Sequence, residues 1–181
     1  MYTDNAMLQL SATLIGRPIM SLRTGAPVGQ TLQPIINPNN LKIEGFYCED
    51  RFNKKQSSVL LSQEIRDIIG QGIVVNDHEA LSDPSELVRL KDVLDLGFEL
   101  IGKPVVTLSK ERLGKVNDFA ADGATLYIQK LYVSQSLIKS FGSGQLSIDR
   151  TQIVEITNKK IVVQEILKPT KSAVPATAPV G

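Results

Sequence analysis

The stretch from Leu14 to Leu22 reads Leu-Ile-Gly-Arg-Pro-Ile-Met-Ser-Leu, and it returns from Leu100 to Leu108 as Leu-Ile-Gly-Lys-Pro-Val-Val-Thr-Leu. Five of the nine positions are identical, and the other four are conservative exchanges. Self-similarity of this kind is the signature of an internal repeat. The stretch therefore predicts that the chain contains two copies of one folding unit.

The match continues downstream in the same order. At a spacing of 85 residues the first copy aligns with the second as Leu41 with Leu126, Ile43 with Ile128 and Tyr47 with Tyr132. At a spacing of 88 residues Ile73-Val74-Val75 aligns with Ile161-Val162-Val163. Three blocks in one order with small gaps between them indicate a tandem duplication.

Within each copy the local pattern is that of β-strands. Pro18 to Leu22 and Pro104 to Leu108 are short apolar runs that follow a Gly-x-Pro turn. The strand that begins at Leu41 alternates apolar and polar residues, and the alternation changes phase near Gly45; the second copy does the same near Lys130. This change predicts a β-bulge at the same place in both copies, and bulges bend strands as the closing of a small barrel requires.

The repeat boundaries divide the chain into four parts. We expect a first domain at residues 9–77, a linker at 78–93, a second domain at 94–167 and a tail at 168–181. The tail is rich in Pro and Ala and offers little to bury, so we expect it to be disordered.

The linker carries the signals of a short helix. Asp83 is a suitable N-cap, Pro84 suits the first helical position, and Gly97 is a natural stop. We therefore predict one helix from about Pro84 to Leu96, whose apolar side buries residues in the seam or against a barrel. The apolar residues expected there are Leu87, Leu90 and Leu94.

These elements resemble the PRC-barrel family. The resemblance rests on the Leu-Ile-Gly-Lys-Pro-Val opening, on the Leu-Gly-Lys-Val-Asn-Asp that completes the stretch from Leu100 to Asp118, and on the closing Ile-Val-Val runs. It covers nearly the whole chain, twice. It implies an all-β fold of two tandem, small, six-stranded barrels joined by a short helix.

The family occurs in the cytoplasmic part of one protein of the photosynthetic reaction centre and in the C-terminal half of a ribosome-maturation factor. The sequence departs from both. It has no apolar run long enough to resemble the membrane-spanning helix of the reaction-centre protein, and a second copy of the module stands in place of the separate N-terminal barrel of the maturation factor.

The composition excludes several function classes. Lys and Arg number 20 against 19 Asp and Glu, which gives a formal net charge of +1 and no strong signal for nucleic-acid binding. One Cys and one His provide neither an intramolecular disulfide nor a His-based metal site. We expect a cytoplasmic protein without a cofactor, a metal or a transmembrane segment, and its oligomeric state stays open.

Three motifs that carry chemistry elsewhere have simpler interpretations here. Gly97 to Lys103 fits half of a phosphate-binding loop, but Pro104 stands where Ser or Thr would ligate Mg²⁺, and the repeat itself accounts for Gly-Lys-Pro. His78 between two carboxylates is expected to be a solvated linker residue, and Cys48 aligns with a Val and is expected in the core. The sequence therefore predicts no catalytic residue and no enzyme.

Three aromatic residues are candidates for an interface. Tyr47 and Tyr132 occupy equivalent positions and are expected outside the barrel cores, either as structural tyrosines at a rim or as adhesive aromatics at a seam or partner surface. Phe141 lies in an insertion that is either a partly packed loop or a ligand loop.

A duplicated small barrel with no catalytic constellation favours a non-enzymatic scaffold or adaptor that binds a protein partner. One alternative is a ribosome- or RNA-associated assembly factor, by analogy with the maturation factor. A second alternative is association with a membrane or photosynthetic complex.

Overall fold

The computed structural model describes residues 7–134 and 144–165, and β-strands make up most of their regular secondary structure. The strands are β1 Leu8–Leu10, β2 Pro18–Ser21, β3 Pro27–Asn37, β4 Lys42–Asp50, β5 Ser57–Leu61, β6 Ile65–Ile69, β7 Gly72–Val75, β8 Leu81–Ser82, β9 Pro104–Thr107, β10 Arg112–Asp122, β11 Ile128–Ser134, β12 Gln145–Asp149, β13 Ile153–Ile156 and β14 Ile161–Val163. The α-helices are α1 Ser11–Leu14 and α2 Lys91–Leu96, and one-turn 3-10 helices span Ser62–Glu64, His78–Ala80, Pro84–Glu86, Val88–Leu90 and Arg150–Gln152. The predicted all-β class is confirmed.

The strands form two sheets with the same path. The first runs β6-β7-β2-β3-β4-β5-β8, and the second runs β13-β14-β9-β10-β11-β12 with β1 added beside β10. In both sheets the last strand of the repeat pairs in parallel with the first, β7 with β2 and β14 with β9. The shared strand order confirms the repeat that the sequence predicted.

Closed barrels are not confirmed. Among the residues that the structure describes, no backbone pairing joins β6 to β5 or β13 to β12, so each sheet is an open path of hydrogen-bonded strands. Each half nevertheless contains the six predicted strands, and β8 and β1 are additions at the sheets' margins.

Local features repeat as closely as the strand order. Gly16 and Gly102 both have positive φ, +69° and +84°, and donate their N–H groups to the carbonyls of Thr31 and Val116. A side chain is disfavoured in this left-handed region, so glycine suits both turns. In its pairing with β3, β4 skips Glu44, and in its pairing with β10, β11 skips Gln129, which confirms the predicted bulges near Gly45 and Lys130.

The linker differs from the single helix that the sequence predicted. Asp83 accepts a hydrogen bond from the Ser85 N–H as a cap, and Gly97 ends α2 with φ +52°, both as expected. Between them Leu87, with ψ 63°, interrupts the helix, and two 3-10 turns precede α2. On this path Leu87, Val93 and Leu94 pack against a cluster that includes Ile35 and Val59 of the first sheet.

The two halves meet along a seam with approximate two-fold symmetry. The Ile43 N–H donates to the Leu126 carbonyl at 2.9 Å, and the Ile128 N–H donates to the Leu41 carbonyl at 2.8 Å. Both leucines have positive φ, 54° and 59°, a conformation that costs a non-glycine residue about 1–2 kcal/mol. The seam therefore resembles the self-complementary interface of a symmetric dimer, built within one chain.

Segments also cross the seam. β1 pairs with β10, so Gln9 and Leu10, which the sequence assigned to the first domain, lie in the second sheet. α2, which spans the end of the linker and the start of the second domain, contacts β3 of the first sheet. One contiguous apolar core joins the halves; it includes Leu14, Ile19, Ile43 and Phe46 from the first and Leu100, Val105, Ile128 and Leu131 from the second.

Candidate partner-binding surface

Tyr47 lies outside the main core, as predicted, beneath the linker. It belongs to a second apolar cluster in which Ile35 and Val59 of the first sheet pack with Leu90. Leu90 is buried, whereas Leu87 and Leu94 are half-buried against the same cluster. The linker therefore covers the outer face of the first sheet around Tyr47.

Tyr132 is also half-buried and belongs to neither apolar cluster of the described residues. Its neighbours across the sheet are Asp118 on β10 and Ser147 on β12. Ser147 stands where the first half has Val59, and Asp149 stands where it has Leu61. A large aromatic therefore remains on a face whose surrounding positions are polar.

The neighbouring Asp118 connects this face to the N-terminal segment. The Ser11 hydroxyl donates to Asp118 Oδ1 at 2.5 Å, and the Ser11 N–H donates to the same oxygen at 3.3 Å. α1 is thereby held against β10. Phe141, the third predicted interface residue, lies outside the described residues.

Tyr127 and Arg150 were missed by the sequence interpretation, and both lie at the seam. Arg150 donates to the Ile128 carbonyl at 3.2 Å and to the Asn40 carbonyl at 2.6 Å, so its guanidinium joins the two halves. Its Cζ lies 5.1 Å from the centre of the Tyr127 ring, and Lys42 Nζ lies 5.9 Å from it. The one indication in the sequence is that the two copies differ here. The first copy has Lys42 where the second has Tyr127, and Ser62 where the second has Arg150.

His78, which was predicted to be a solvated linker residue, keeps a side chain that is 42% exposed but also has a partner. Its Nε2 lies 2.8 Å from Asp50 Oδ2, and the Phe52 ring meets the imidazole edge-on at 4.9 Å. Burial by itself raises the pKa of Asp50, but hydrogen bonds from the Phe52 N–H and from His78 outweigh it and hold the pKa below its ordinary value. The contact itself was not predicted, because the two residues are 28 positions apart in sequence and only the folded chain brings them together. The pair connects the last residue of β4 to the linker.

The other reactive side chains also have structural surroundings. Cys48 is buried in the core as predicted, and burial raises its pKa to about 12, which keeps the thiol protonated. Lys103 Nζ donates to the Asn158 carbonyl at 2.8 Å and lies 4.6 Å from the centre of the Phe98 ring. Within the two described ranges, no three His, Cys, Asp or Glu side chains gather as the ligands of a metal ion would.

No family model matches the chain, and no curated protein is similar to it by sequence. Over residues 7–134 and 144–165, no helix has both the length and the apolar character needed to cross a bilayer.

Proposed function

We propose that this protein is a non-enzymatic scaffold or adaptor that binds a protein partner, and that each half is a small barrel of the PRC type. The observation that carries the proposal is Tyr132. It is a large, half-buried aromatic that belongs to neither apolar cluster of the described residues.

Its surroundings suit a partner interface. Exposed Ser147 and the half-buried Asp118 and Lys130 lie around the ring. Protein interfaces combine aromatic residues, which supply contact area and a hydroxyl, with a polar rim. Tyr is also among the residues that most often dominate binding energy.

The first half supplies an internal example of such binding. Around the equivalent Tyr47, the outer face of the sheet is covered by a segment of polypeptide, the linker. The same sheet position therefore accepts a peptide segment in one copy. We infer that in the second copy this role falls to another protein.

The experiment is site-specific photo-cross-linking in the native host. A benzophenone amino acid replaces Tyr132 in one variant and Phe52, an aromatic that is 69% exposed, in the control. We expect a discrete protein adduct with the probe at position 132 and none with the probe at position 52. The same protein should be absent from pull-downs in which Tyr132→Glu is the bait.

Equal labelling at both positions, or none at 132, contradicts the adaptor. An adduct with RNA would instead favour the assembly-factor alternative. Far-UV circular dichroism of Tyr132→Glu is the folding control: an unchanged spectrum would show that loss of the partner is not a loss of structure.

A further inference from the structure

One position of the symmetric seam differs in chemistry between the halves. The 3-10 turns Arg150–Gln152 and Ser62–Glu64 follow equivalent strands, β12 and β5. They align at the spacing of 88 residues that also relates the closing strands, so Ser62 is the counterpart of Arg150. The first half therefore has a hydroxymethyl group where the second has a guanidinium.

In the second half the guanidinium has three contacts that define what this position binds. It donates to the carbonyls of Asn40 and Ile128 and lies against the Tyr127 ring. A planar, weakly hydrated cation with several N–H donors suits two carbonyls and an aromatic ring together.

In the first half the corresponding place is an open groove of about 810 Å³. Its lining includes Ser62, Thr125 and Lys42, which are the repeat counterparts of Arg150, Asn40 and Tyr127. Tyr127 itself also lines the groove. The groove thus lies at the repeat counterpart of Arg150, and its lining holds the counterparts of two of the three contacts of that guanidinium.

The charges that face the groove are balanced. They belong to Lys42, Glu44, Glu86 and Arg89. Lys42 Nζ lies 3.7 Å from Glu44 Oε2, so the cation that replaces Tyr127 is paired within the groove. Glu86 adds a second carboxylate, and carboxylates form the strongest hydrogen bonds with guanidinium groups.

We propose that this groove binds the guanidinium of an arginine side chain presented by a protein partner, in the manner of Arg150 in the second half. The proposal rests on the proposed adaptor function, because it supposes a protein partner. The surface is distinct from the one around Tyr132.

The test is an NMR titration of the isotope-labelled full chain with N-acetyl-arginine amide. The matched probe is N-acetyl-citrulline amide, which has nearly the same shape and no charge. We expect saturable shifts of the Ser62, Thr125 and Leu126 amides with the arginine compound at millimolar concentration. Binding of the citrulline compound should be weaker by about tenfold or more, equivalent to about 1.4 kcal/mol.

Two reciprocal substitutions give each half the residue that the other half has at this position. Ser62→Arg should fill the first groove and weaken binding about tenfold or more. Ser57→Arg, which adds the same charge at an exposed position outside the groove lining, should bind as the wild type does. Arg150→Ser should create a second site, seen as new shifts at Asn40 and Ile128.

Several results would overturn the proposal: no saturable shift with the arginine compound, equal binding of the citrulline compound, or full binding by Ser62→Arg. Binding that appears only in Arg89→Gln would assign the groove to Arg89 of the linker and also overturn it. If Arg150→Ser does not fold, the wild type and the Ser62 variant decide the question alone. The titration needs no partner, so its failure is distinguishable from the failure of cross-linking at position 132.

Discussion

The outer face of the first sheet is apolar, whereas the same face of the second sheet is polar. Val59 and Leu61 lie beneath the linker in the first half, and Ser147 and Asp149 take their places in the second. Positions in the main core did not diverge in this way, since Phe46 and its counterpart Leu131 are both apolar and fully buried there. In a duplicated fold, positions that face the core stay apolar in both copies because both cores must be filled. At positions that face outward, the polarity of the residue depends on what packs against that face in each copy.

The largest expected effect tests whether the shared core makes the halves one unit. Phe46→Ala and Leu131→Ala each leave a cavity in the contiguous core, so we expect losses of about 3–5 and 2–5 kcal/mol in the free energy of unfolding. Urea unfolding followed by far-UV circular dichroism and by tyrosine fluorescence should show one coincident transition. The exposed Phe52→Ala is the control. Two separate transitions, with only the altered half unfolding early, would mean that the halves are independent domains.

The second prediction compares the two tyrosines directly. Tyr47→Ala removes contacts with the linker cluster, and we expect it to lower the free energy of unfolding by about 2–3 kcal/mol. Tyr132→Ala removes a ring outside both clusters, so we expect a loss of about 0.5 kcal/mol or little more. Chemical denaturation of both variants measures the difference. Equal losses would show that Tyr132 has an internal packing role, and the case for a partner surface there would fail.

The third prediction concerns the Asp50–His78 pair, to which the described second half shows no counterpart. Asp50 has a folded pKa below its ordinary value of 3.8, so its carboxylate stabilises the fold above that pH, and this contribution disappears as the pH falls through the lowered pKa. His78 is 42% exposed, and solvent screening weakens the pair. We expect Asp50→Asn to lose about 1 kcal/mol near neutral pH and the difference from wild type to shrink towards zero in acid.

Urea denaturation at about pH 6, 4 and 3 measures this difference. Asp95→Asn, at an exposed position of α2, is the matched control and should change stability little at each pH. A difference for Asp50→Asn that stays constant down to pH 3 would show that the carboxylate charge is not what stabilises this corner.

Local patterns predicted the features that depend on nearby residues. The repeat, the bulges at Glu44 and Gln129, and the cap at Gly97 all follow from spacing or from backbone preference. The break at Leu87 did not, because the linker's path follows the sheet surface beneath it rather than its own helical propensity. The pairing of β1 with β10 was also missed, since a three-residue strand carries no sign of a partner more than a hundred residues away.

At the candidate surface, too, only the features that depend on nearby residues were predicted. The position of both tyrosines outside the core followed from the alternation of apolar residues along β4 and β11. Arg150 was missed because an arginine in a polar turn has the sequence pattern of ordinary surface charge. Its role depends on the Asn40 carbonyl, which only the assembled seam brings within hydrogen-bond distance.

The smallest expected effect tests whether the C-terminal tail covers Tyr132 in the way that the linker covers Tyr47. The linker follows β7 and covers Tyr47; the tail follows β14, but its Pro, Ala and Thr content offers few residues to bury. We therefore expect deletion of residues 168–181, which lie outside the described ranges, to change Tm by about 2 °C or less, equivalent to at most about 0.5–1 kcal/mol.

Differential scanning calorimetry of the truncated chain measures the change, with Tyr132→Ala made in both backgrounds. If the tail covered Tyr132 as the linker covers Tyr47, the deletion would cost several degrees, and its effect and that of Tyr132→Ala would not add, because both would remove one contact. Additive, small effects would leave the Tyr132 face free for a partner.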